Sequence, residues 1–414
     1  MSDEAASPRF PREFPGVHYY GKEEEEAALA VIRARSPFRY YGANFLAEAD
    51  ALEKEFAGWL GRRHAQAVSS CTNALVTAMA ALEVGPGQEV LVPGFFWVST
   101  VGAIVRAGAI PVLVEVDDSF TMDPEDLRRK ITPHSRLVLP VHMCGIPANM
   151  PAILEVAREH RLAVLEDCAQ ALGAKLHGQA SGTTGDVAVF SFQMNKNITA
   201  GEGGMLVTDD QRLFLRANAA HDIGVPWEKG MPFDAADYVL WGAGARMSEL
   251  SAAVVRVQLG KLNAITSHMR DSKWRIRGSL QDLPGVTWRR VDDPAGDSGP
   301  FLIASFGSAD QAARFAEECG RRSLSCGYLA HYGLHVYYNV RALVEHRSNS
   351  PDGFPWTHPA NVPLLRNYGP GALPRTDELL SRSVGLPIPS CLTPEQETDF
   401  IALFRQAYAE SVGL

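Results

Sequence analysis

Between residues 84 and 207, short apolar runs alternate with longer segments whose apolar side chains recur at helical spacing. The short runs are rich in Val, Ile and Leu, as is typical of strands buried on both faces of a parallel sheet. This alternation predicts an α/β fold in which helices flank a mainly parallel sheet. The predicted strands are Glu89–Pro93, Ile110–Val114, Arg136–Val141, Leu162–Asp167 and a run that includes Val189–Phe192, and the predicted helices are Val98–Ala107, Pro124–Lys130 and Met150–His160.

Patterned segments also lie on either side of this core. Residues 1–20 are predicted to form an extended arm, and the weakly periodic segment His331–Arg375 a loop region on the substrate side. We predict a large domain over residues 1–265 and a smaller α+β domain over residues 266–414. The further predicted helices are Glu23–Arg33, Asn44–Trp59, Ser248–Arg277, Ala309–Gly320 and Pro394–Val412, and the further strands are Val286–Arg289 and Phe301–Phe306.

Composition and charge exclude several classes of protein. The formal net charge of −9 argues against nucleic acid as the main partner, because there is no basic excess to neutralise phosphates. Six scattered cysteines form no Cys-x-x-Cys pair, so we expect reduced thiols and no metal site. The N-terminus lacks the apolar region of a signal peptide, and no apolar run approaches the roughly 20 residues that span a bilayer. These features predict a cytoplasmic protein without a membrane partner.

One stretch joins a predicted strand, a single lysine and a glycine-rich turn. Lys196 follows Val189–Phe192 and has no charged neighbour for several residues on either side. The cluster Gly201-Glu202-Gly203-Gly204 then marks a turn before the next strand. A lone loop lysine is most often solvated. The alternative is a partly desolvated amine with a lowered pKa, which suits a Schiff base.

Three other features lie where α/β sheets bind ligands, at strand ends and at a helix start. Asp167 ends an apolar strand, so it is expected to be buried and to need a partner, whether in a salt bridge, a cap or a ligand. Trp97 follows another strand and could simply belong to the core. The segment Cys71-Thr72-Asn73 opens an alanine-rich helix, which can be a phosphate site or an ordinary N-cap.

Together these residues match the needs of pyridoxal 5′-phosphate. That cofactor requires a lysine, an acid for its ring nitrogen, an aromatic side chain against its ring and a site for its phosphate. No Gly-x-Gly-x-x-Gly motif follows the first strand and no Gly-x-x-x-x-Gly-Lys-[Ser/Thr] motif occurs, so neither a dinucleotide nor a nucleoside triphosphate site has support. Four roles filled within one α/β domain favour the pyridoxal phosphate interpretation.

The chain resembles the DegT/StrS family of fold-type-I aminotransferases, which place amino groups on keto sugars and cyclitols. The resemblance extends from about Phe38 to Pro394. Its most specific part combines Asp-x-x-Gln, Ser-Phe and a lysine before Gly-Glu-Gly-Gly. The motifs that carry it are Ser69–Leu75, Trp97–Thr100, Glu166–Ala171, Phe190–Phe192, Lys196, Gly201–Gly204, Arg246–Leu250, Leu386-Pro387 and Leu392-Thr393.

The resemblance implies a role for each candidate residue. Lys196 would be the Schiff-base lysine, Asp167 the partner of the ring nitrogen, Trp97 the stacking side chain and Gln170 a hydrogen-bond partner on the phenolic oxygen side. Arg39 and His331 are candidate substrate contacts. The residues that would hold the phosphate are Cys71, Thr72 and Ser191, and Asn73 of the same helix start is counted with the cofactor-binding set.

The sequence also departs from the family pattern. Cys71 stands where the family usually has glycine in its phosphate turn, and Gly244 stands where a family asparagine reaches the partner subunit's phosphate. Family members that dehydrate deoxysugars have histidine in place of the lysine, so Lys196 favours transamination. Phe38–Tyr40, Val141–Gly145 and Asp292–Ser298 resemble the branch that aminates C8 of eight-carbon keto-sugar acids.

We therefore predict a ping-pong aminotransferase that works as a homodimer with shared active sites. Glu or Gln would donate the amino group, and a keto sugar, sugar acid or cyclitol would accept it. The main alternative is a pyridoxal phosphate-dependent lyase or dehydratase on the same scaffold. A sensor of the same fold that does not turn over and an unrelated nicotinamide enzyme are less favoured hypotheses.

Overall fold

The computed structural model describes residues 9–227 and 238–413. Its helices are α1 (Lys22–Ala34), α2 (Glu48–Leu60), α3 (Cys71–Ala81), α4 (Val98–Arg106), α5 (Pro124–Lys130), α6 (Met150–Glu159), α7 (Gln211–His221), α8 (Glu249–Gly278), α9 (Ala309–Arg321), α10 (Arg341–Val344), α11 (Pro374–Ser381) and α12 (Pro394–Val412). Its strands are β1 (His64–Val68), β2 (Glu89–Pro93), β3 (Ile110–Val114), β4 (Ser135–Val138), β5 (Ala163–Asp167), β6 (Lys175–Leu176), β7 (Gln179–Ala180), β8 (Val187–Ser191), β9 (Gly204–Thr208), β10 (Thr287–Trp288), β11 (Phe301–Ser305), β12 (Gly327–Tyr328) and β13 (Ser383–Pro387).

A seven-stranded sheet forms the centre of the molecule, in the order β1-β9-β8-β5-β4-β2-β3. The strands β8, β5, β4, β2 and β3 run parallel to one another, and β9 is antiparallel to both β1 and β8. The carboxyl ends of β1, β2, β4, β5 and β8 therefore share one edge. The α/β architecture with a mainly parallel sheet is confirmed.

Strand β8 shows why these sequences form a doubly covered sheet. Val187 and Val189 face one apolar core with α3 and α4, while Ala188 and Phe190 face the core formed with α2 and α8. Successive side chains of a strand point to opposite faces, so an all-apolar strand is stable only between two layers.

A second, four-stranded antiparallel sheet in the order β10-β11-β13-β12 packs with α9 and α12. Helix α8 joins the two sheets, because its residues up to Met269 pack in a core of the large sheet and Ile276 packs in the core of the small one. The predicted division between residues 265 and 266 falls inside this helix and stays a prediction. None of the described helices is long and apolar enough to cross a membrane.

Most predicted elements form close to their predicted bounds, and three parts differ. Helix α2 begins at Glu48 and not at Asn44, and α7, α11 and β13 were not predicted. Part of the segment His331–Arg375 lies far from the carboxyl edge of the large sheet, so it is not on the substrate side. Asn361 there bonds Gly87 and Gly108, which precede the amino ends of β2 and β3, at distances of 2.7 and 2.8 Å.

The described part of the N-terminal arm is packed against both cores. The Gly16 N–H donates to the carbonyl of Lys196 over 3.3 Å, and the Tyr20 hydroxyl donates to the carbonyl of Thr199 over 2.9 Å. Phe10 meets Phe400 of α12 edge to face, with ring centroids 5.9 Å apart. The arm therefore ties the loop that carries the lysine to the small sheet.

Candidate active site

The candidate site is a cavity of about 440 Å³ at the carboxyl edge of the large sheet. It collects residues that follow four different strands, as expected for a ligand site in such a sheet. The sequence-predicted residues that line it are Cys71, Thr72, Trp97, Asp167, Gln170, Ser191 and Lys196. Residues up to 125 positions apart in the chain thus converge on one cavity.

Helix α3 presents its first turn to the cavity. Ser70 is the N-cap, and its Oγ accepts the N–H of Asn73 over 3.1 Å. The N–H groups of Cys71 and Thr72 have no acceptor within the helix, since the first turn lacks a preceding one. The Thr72 hydroxyl bonds Ser99 Oγ over 2.8 Å. The result is a set of backbone and hydroxyl donors at the positive end of a helix dipole.

The close approach of β9 to this turn depends on a glycine. A Cβ on Gly204 would lie 2.6 Å from the backbone nitrogen of Cys71, closer than side chains are ever found. Gly204 also pairs with Val68 of β1 and Ser191 of β8. The second half of the Gly-Glu-Gly-Gly cluster is therefore explained by packing, because it brings the helix start and Ser191 to the same place.

Lys196 lies on a tight loop between β8 and β9. Its N–H donates to the Gln193 carbonyl over 2.9 Å, while its own carbonyl is held by the arm. Burial lowers the pKa of the Lys196 amine, although the neighbouring Cys71, Asp167 and Cys144 act in the opposite direction. The position of Lys196 therefore agrees with the alternative of a partly desolvated amine better than with a solvated loop residue.

Asp167 is a buried carboxylate at the end of β5, with 3% of its surface exposed. Its Oδ2 accepts the Thr100 hydroxyl over 2.8 Å and its Oδ1 accepts the Ala169 N–H over 3.1 Å. Burial raises the pKa of this carboxyl, and those two hydrogen bonds and the Lys196 charge only partly offset it. No salt bridge to Asp167 occurs within the described residues, and the element after β5 is a strand and not a helix, so neither a core salt bridge nor a helix cap explains the buried carboxylate.

Several residues of the cavity wall were not predicted as site residues. His335 stacks on Tyr332 with centroids 4.4 Å apart and lies against Trp97 at 4.8 Å. Burial, together with the Lys196 charge, lowers the pKa of His335 to about 4, so its imidazole is neutral at physiological pH. Glu13 and Pro15 of the arm also line the wall. The signal for the aromatic pair was the cluster of Tyr and His in the loop region after residue 331.

Three predicted residues do not line the cavity. Arg39 is buried and pairs with Glu53 over 2.6 Å, and exposed His331 lies edge-on to Tyr328 at 5.0 Å. The Asn73 side chain donates to Ser69 Oγ over 2.9 Å, within the helix start. Their assigned contacts with substrate and cofactor stay predictions, and the geometry within this chain offers them no support.

Glu166 and His142 form a buried network behind Asp167. The Nδ1 of His142 accepts the Ala148 N–H, so its Nε2 carries the proton and donates to Glu166 over 2.8 Å. Burial alone would raise the pKa of Glu166, but hydrogen bonds from His142 and from the backbone of residues 182–185 lower it to about 2. Cys168 lies nearby, yet the oxygens of Glu166 and both ring nitrogens of His142 are already engaged.

The segments that suggested an eight-carbon sugar acid have packing roles. Asp297 forms a buried ion pair with Lys273 of α8, and Asp293 accepts the N–H of Gly296. His142 belongs to the network behind Asp167. None of these three residues lines the cavity.

The donor set fits pyridoxal 5′-phosphate. The start of α3 with Thr72 and Ser191 suits a phosphate. The buried Asp167 has no ion-pair partner among the described residues, and it suits a protonated ring nitrogen. Lys196 supplies an amine of lowered pKa, and Trp97, with 42% of its surface exposed, leaves its ring accessible to a planar group. Each requirement is met by a different structural element at the same cavity.

Comparison with known proteins agrees with this constellation. The model of the DegT/DnrJ/EryC1/StrS aminotransferase family matches residues 22–350. A UDP-N-acetyl-3-dehydro-alpha-D-glucosamine 3-aminotransferase of Acidithiobacillus ferrooxidans is 39% identical over 249 residues, which cover 59% of this chain and 64% of that relative. A 3-amino-5-hydroxybenzoate synthase of Amycolatopsis mediterranei is 34% identical over 338 residues, covering 80% of this chain and 82% of the relative.

Solved structures share the whole fold. A crystal structure of 3-amino-5-hydroxybenzoic acid synthase superposes with a TM-score of 0.79 and 26% identity, covering 98% of this chain and 100% of that one. DesV of S. venezuelae, solved in complex with a ketimine intermediate, has a TM-score of 0.79 and 28% identity and covers 97% and 98% of the two chains.

Proposed function

Because this chain belongs to the DegT/DnrJ/EryC1/StrS aminotransferase family, we propose that it transfers an amino group from glutamate or glutamine to a keto sugar, sugar acid or cyclitol. The observation that carries the proposal is the convergence of Lys196 and Asp167 on one cavity with the start of α3. The curated relatives are named for amination of a sugar and for synthesis of an aminated ring acid, which supports this class of acceptor.

The residues of the cavity divide the work between binding and proton transfer. Pyridoxal phosphate, when bound, supplies an electron sink for a carbanion next to nitrogen. Lys196 would hold its aldehyde carbon through Nζ, and Asp167 would keep its ring nitrogen protonated. Trp97 would cover its ring, Gln170 would bond its phenolic side, and the phosphate would be held by Cys71, Thr72 and Ser191.

Lys196 also supplies the proton chemistry. Its Nζ would take a proton from the substrate carbon that bears nitrogen and would give that proton to the C4′ carbon of the cofactor, as general base and then general acid. A pKa lowered by burial suits this role, because it increases the share of the amine in the neutral form that accepts a proton. The same lysine would serve both halves of a ping-pong cycle.

The proposal is tested by following the transferred nitrogen atom from the amino donor to the ketone. The holoenzyme is incubated with ¹⁵N-glutamate and a panel of ketones: nucleotide-linked keto sugars, free keto sugars, eight-carbon keto-sugar acids and keto cyclitols. We expect α-ketoglutarate and a ¹⁵N-labelled product in equal amounts for at least one ketone. Product formed without consumption of glutamate or glutamine would instead support the lyase or dehydratase alternative.

We further propose that the enzyme is a homodimer. Several exposed apolar side chains lie on segments next to Gly244, where the Leu240 N–H donates to the Gly224 carbonyl over 2.7 Å, and Trp241 is 99% exposed. Aromatic surface of this kind marks protein interfaces more often than free surface. These exposed side chains are Tyr41, Ile223, Trp227, Val239 and Trp241.

Replacing Trp241 by serine is expected to weaken this dimer. A buried interface tryptophan commonly contributes 2 kcal/mol or more, so we expect the dissociation constant to rise by about 30-fold. Sedimentation equilibrium checks this against twice the 45.0 kDa chain mass. Val362→Ser, on an exposed turn near the opposite edge of the sheet, is the control, and equal dimerisation of both variants would contradict the proposed interface.

A further inference from the structure

A buried arginine outside the cavity contacts the Met143–Gly145 turn, which hydrogen-bonds the side chain of Gln170. Arg289 follows β10 of the small sheet and is 3% exposed. Its Nη1 donates to the carbonyl of Cys144 over 3.1 Å and its Nη2 to that of Met143 over 2.7 Å. Its Nε donates to the Ser119 carbonyl over 2.6 Å. Its guanidinium thus donates three hydrogen bonds to carbonyls of residues 119, 143 and 144.

Arg289 is costly to bury. No ion pair to it occurs within the described residues, and burial lowers its pKa to about 10 although neighbouring Cys144 and Asp297 favour the charge. A buried charge without a close counter-ion is destabilising unless hydrogen bonds replace its lost hydration. The carbonyls that it satisfies belong to a turn with unusual backbone geometry.

That turn is held in a strained conformation. Cys144 has φ 53° and ψ 42°, a left-handed conformation that side chains other than glycine rarely adopt. The next residue, Gly145, has φ 90°, and its carbonyl accepts both the N–H and the hydroxyl of Ser298 over 3.0 Å. Arg289 and Ser298 of the small domain therefore fix this turn from outside the cavity.

The strained residue in turn orients Gln170. The Cys144 N–H donates to Gln170 Oε1 over 3.2 Å. An amide whose oxygen accepts on one side has its NH2 group on the other. No acceptor for that NH2 group occurs within the described residues, and Gln170 lines the cavity. The amide is thus left with its donors available to a bound group.

We propose that Arg289 is a positioning residue that acts through the Met143–Gly145 turn to keep the NH2 group of Gln170 directed into the cavity. This inference rests on the proposed function, because it concerns the side of the cavity that would hold the cofactor. It assigns a task in the active site to a residue of the small domain that never touches the cavity.

The test is a double-mutant cycle on the holoenzyme, read as the midpoint of a pH titration of its absorption near about 420 nm. Arg289→Lys keeps the charge but loses the planar fork that reaches three carbonyls. We expect this variant and Gln170→Ala each to shift the midpoint by roughly half a unit to one unit. In the Gln170→Ala background, Arg289→Lys is expected to add no further shift.

Arg290→Lys is the matched control. Arg290 is the next residue, but its guanidinium pairs with acids on the surface, so the midpoint should not move. Thermal unfolding of each apoenzyme measures folding separately, because a purely structural Arg289 would lower the Tm and leave the midpoint in place. An equal shift with and without the Gln170 amide, or an unshifted midpoint in folded Arg289→Lys, would overturn the proposal.

Gln170→Glu keeps the test decisive if Arg289→Lys does not fold. Its carboxylate still accepts the Cys144 N–H, so we expect an unchanged Tm, but it has no donor and adds negative charge near Lys196. The midpoint should therefore rise by roughly one unit. An unchanged midpoint would show that no Gln170 donor faces the bound group. Absence of the absorption band from the wild-type protein would instead contradict the proposed function, and this outcome is distinct from an unshifted midpoint.

Discussion

Replacing Lys196 by alanine is expected to lower kcat by at least about 10⁴-fold and to abolish the absorption band near about 420 nm. The amine is the group that would hold the cofactor covalently and also move the proton, so both properties disappear with one side chain. The fold should survive, because the hydrogen bonds of Lys196 to Gln193 and Gly16 run through its backbone. Spectra and initial rates of the reconstituted variant measure both effects.

Two comparisons separate chemistry from binding. Lys175→Ala, at an exposed position on β6, should leave spectrum and rate unchanged. Added ethylamine should partly restore turnover of Lys196→Ala, since a free amine can occupy the space of the removed lysine side chain and act as the base. A Lys196→Ala protein that keeps the band would show that a different amine holds the cofactor, and the assignment would then be wrong.

Much of the site could be predicted because the fold makes sequence position informative. A residue that ends a buried parallel strand must lie at the carboxyl edge of the sheet, whatever its partners are. Asp167 ends β5, Trp97 follows β2 and Lys196 lies on the loop after β8. Ser191, which ends β8, was implied by the family resemblance alone. Local apolar runs are sufficient to find such strands, so no long-range information was needed to bring these residues together.

The rest depended on contacts that no local pattern encodes. Glu13 and Pro15 reach the cavity because Gly16 packs closely against the loop that carries Lys196, where a Cβ on Gly16 would lie 3.0 Å from the Cα of Ile198. Arg39, in a loop dense in aromatics, resembled a substrate contact, but α2 places Glu53 beside it. Short 3₁₀ turns decide that His335 lines the cavity and His331 does not.

The departure at Cys71 has a physical account in the structure. Burial, with the nearby Asp167 charge, raises the pKa of its thiol well above the usual value, so the side chain is a neutral thiol in the first turn of α3. The backbone donors of that turn remain, which is what a phosphate needs. The departure at Gly244 is different, because its φ of 61° and open surroundings leave the position free to face a second copy of the chain.

Asp167→Asn is expected to lower kcat by about 10²- to 10⁴-fold while leaving the chain folded. The amide keeps the shape, since its oxygen can accept the Ala169 N–H while its NH2 group donates to the Thr100 hydroxyl, but it cannot keep a ring nitrogen protonated. Turnover should rise as the pH falls, because solvent then protonates that nitrogen. Rates measured at saturating cofactor over a pH series separate this effect from weaker cofactor binding.

The thermal stability of the Asp167→Asn apoenzyme should not fall with its activity. Burial raises the pKa of Asp167 in the folded chain, so ionisation costs stability as the pH rises from the unfolded pKa through the folded one. Asparagine carries no such cost, and apoenzyme Asp167→Asn should unfold at or above the wild-type Tm at neutral pH, as expected where an active site trades stability for function. Thr100→Val removes one hydrogen bond to the carboxylate and should cost at most about 10-fold in kcat. An Asp167→Asn enzyme as active as Thr100→Val would show that the carboxylate does not control the chemistry.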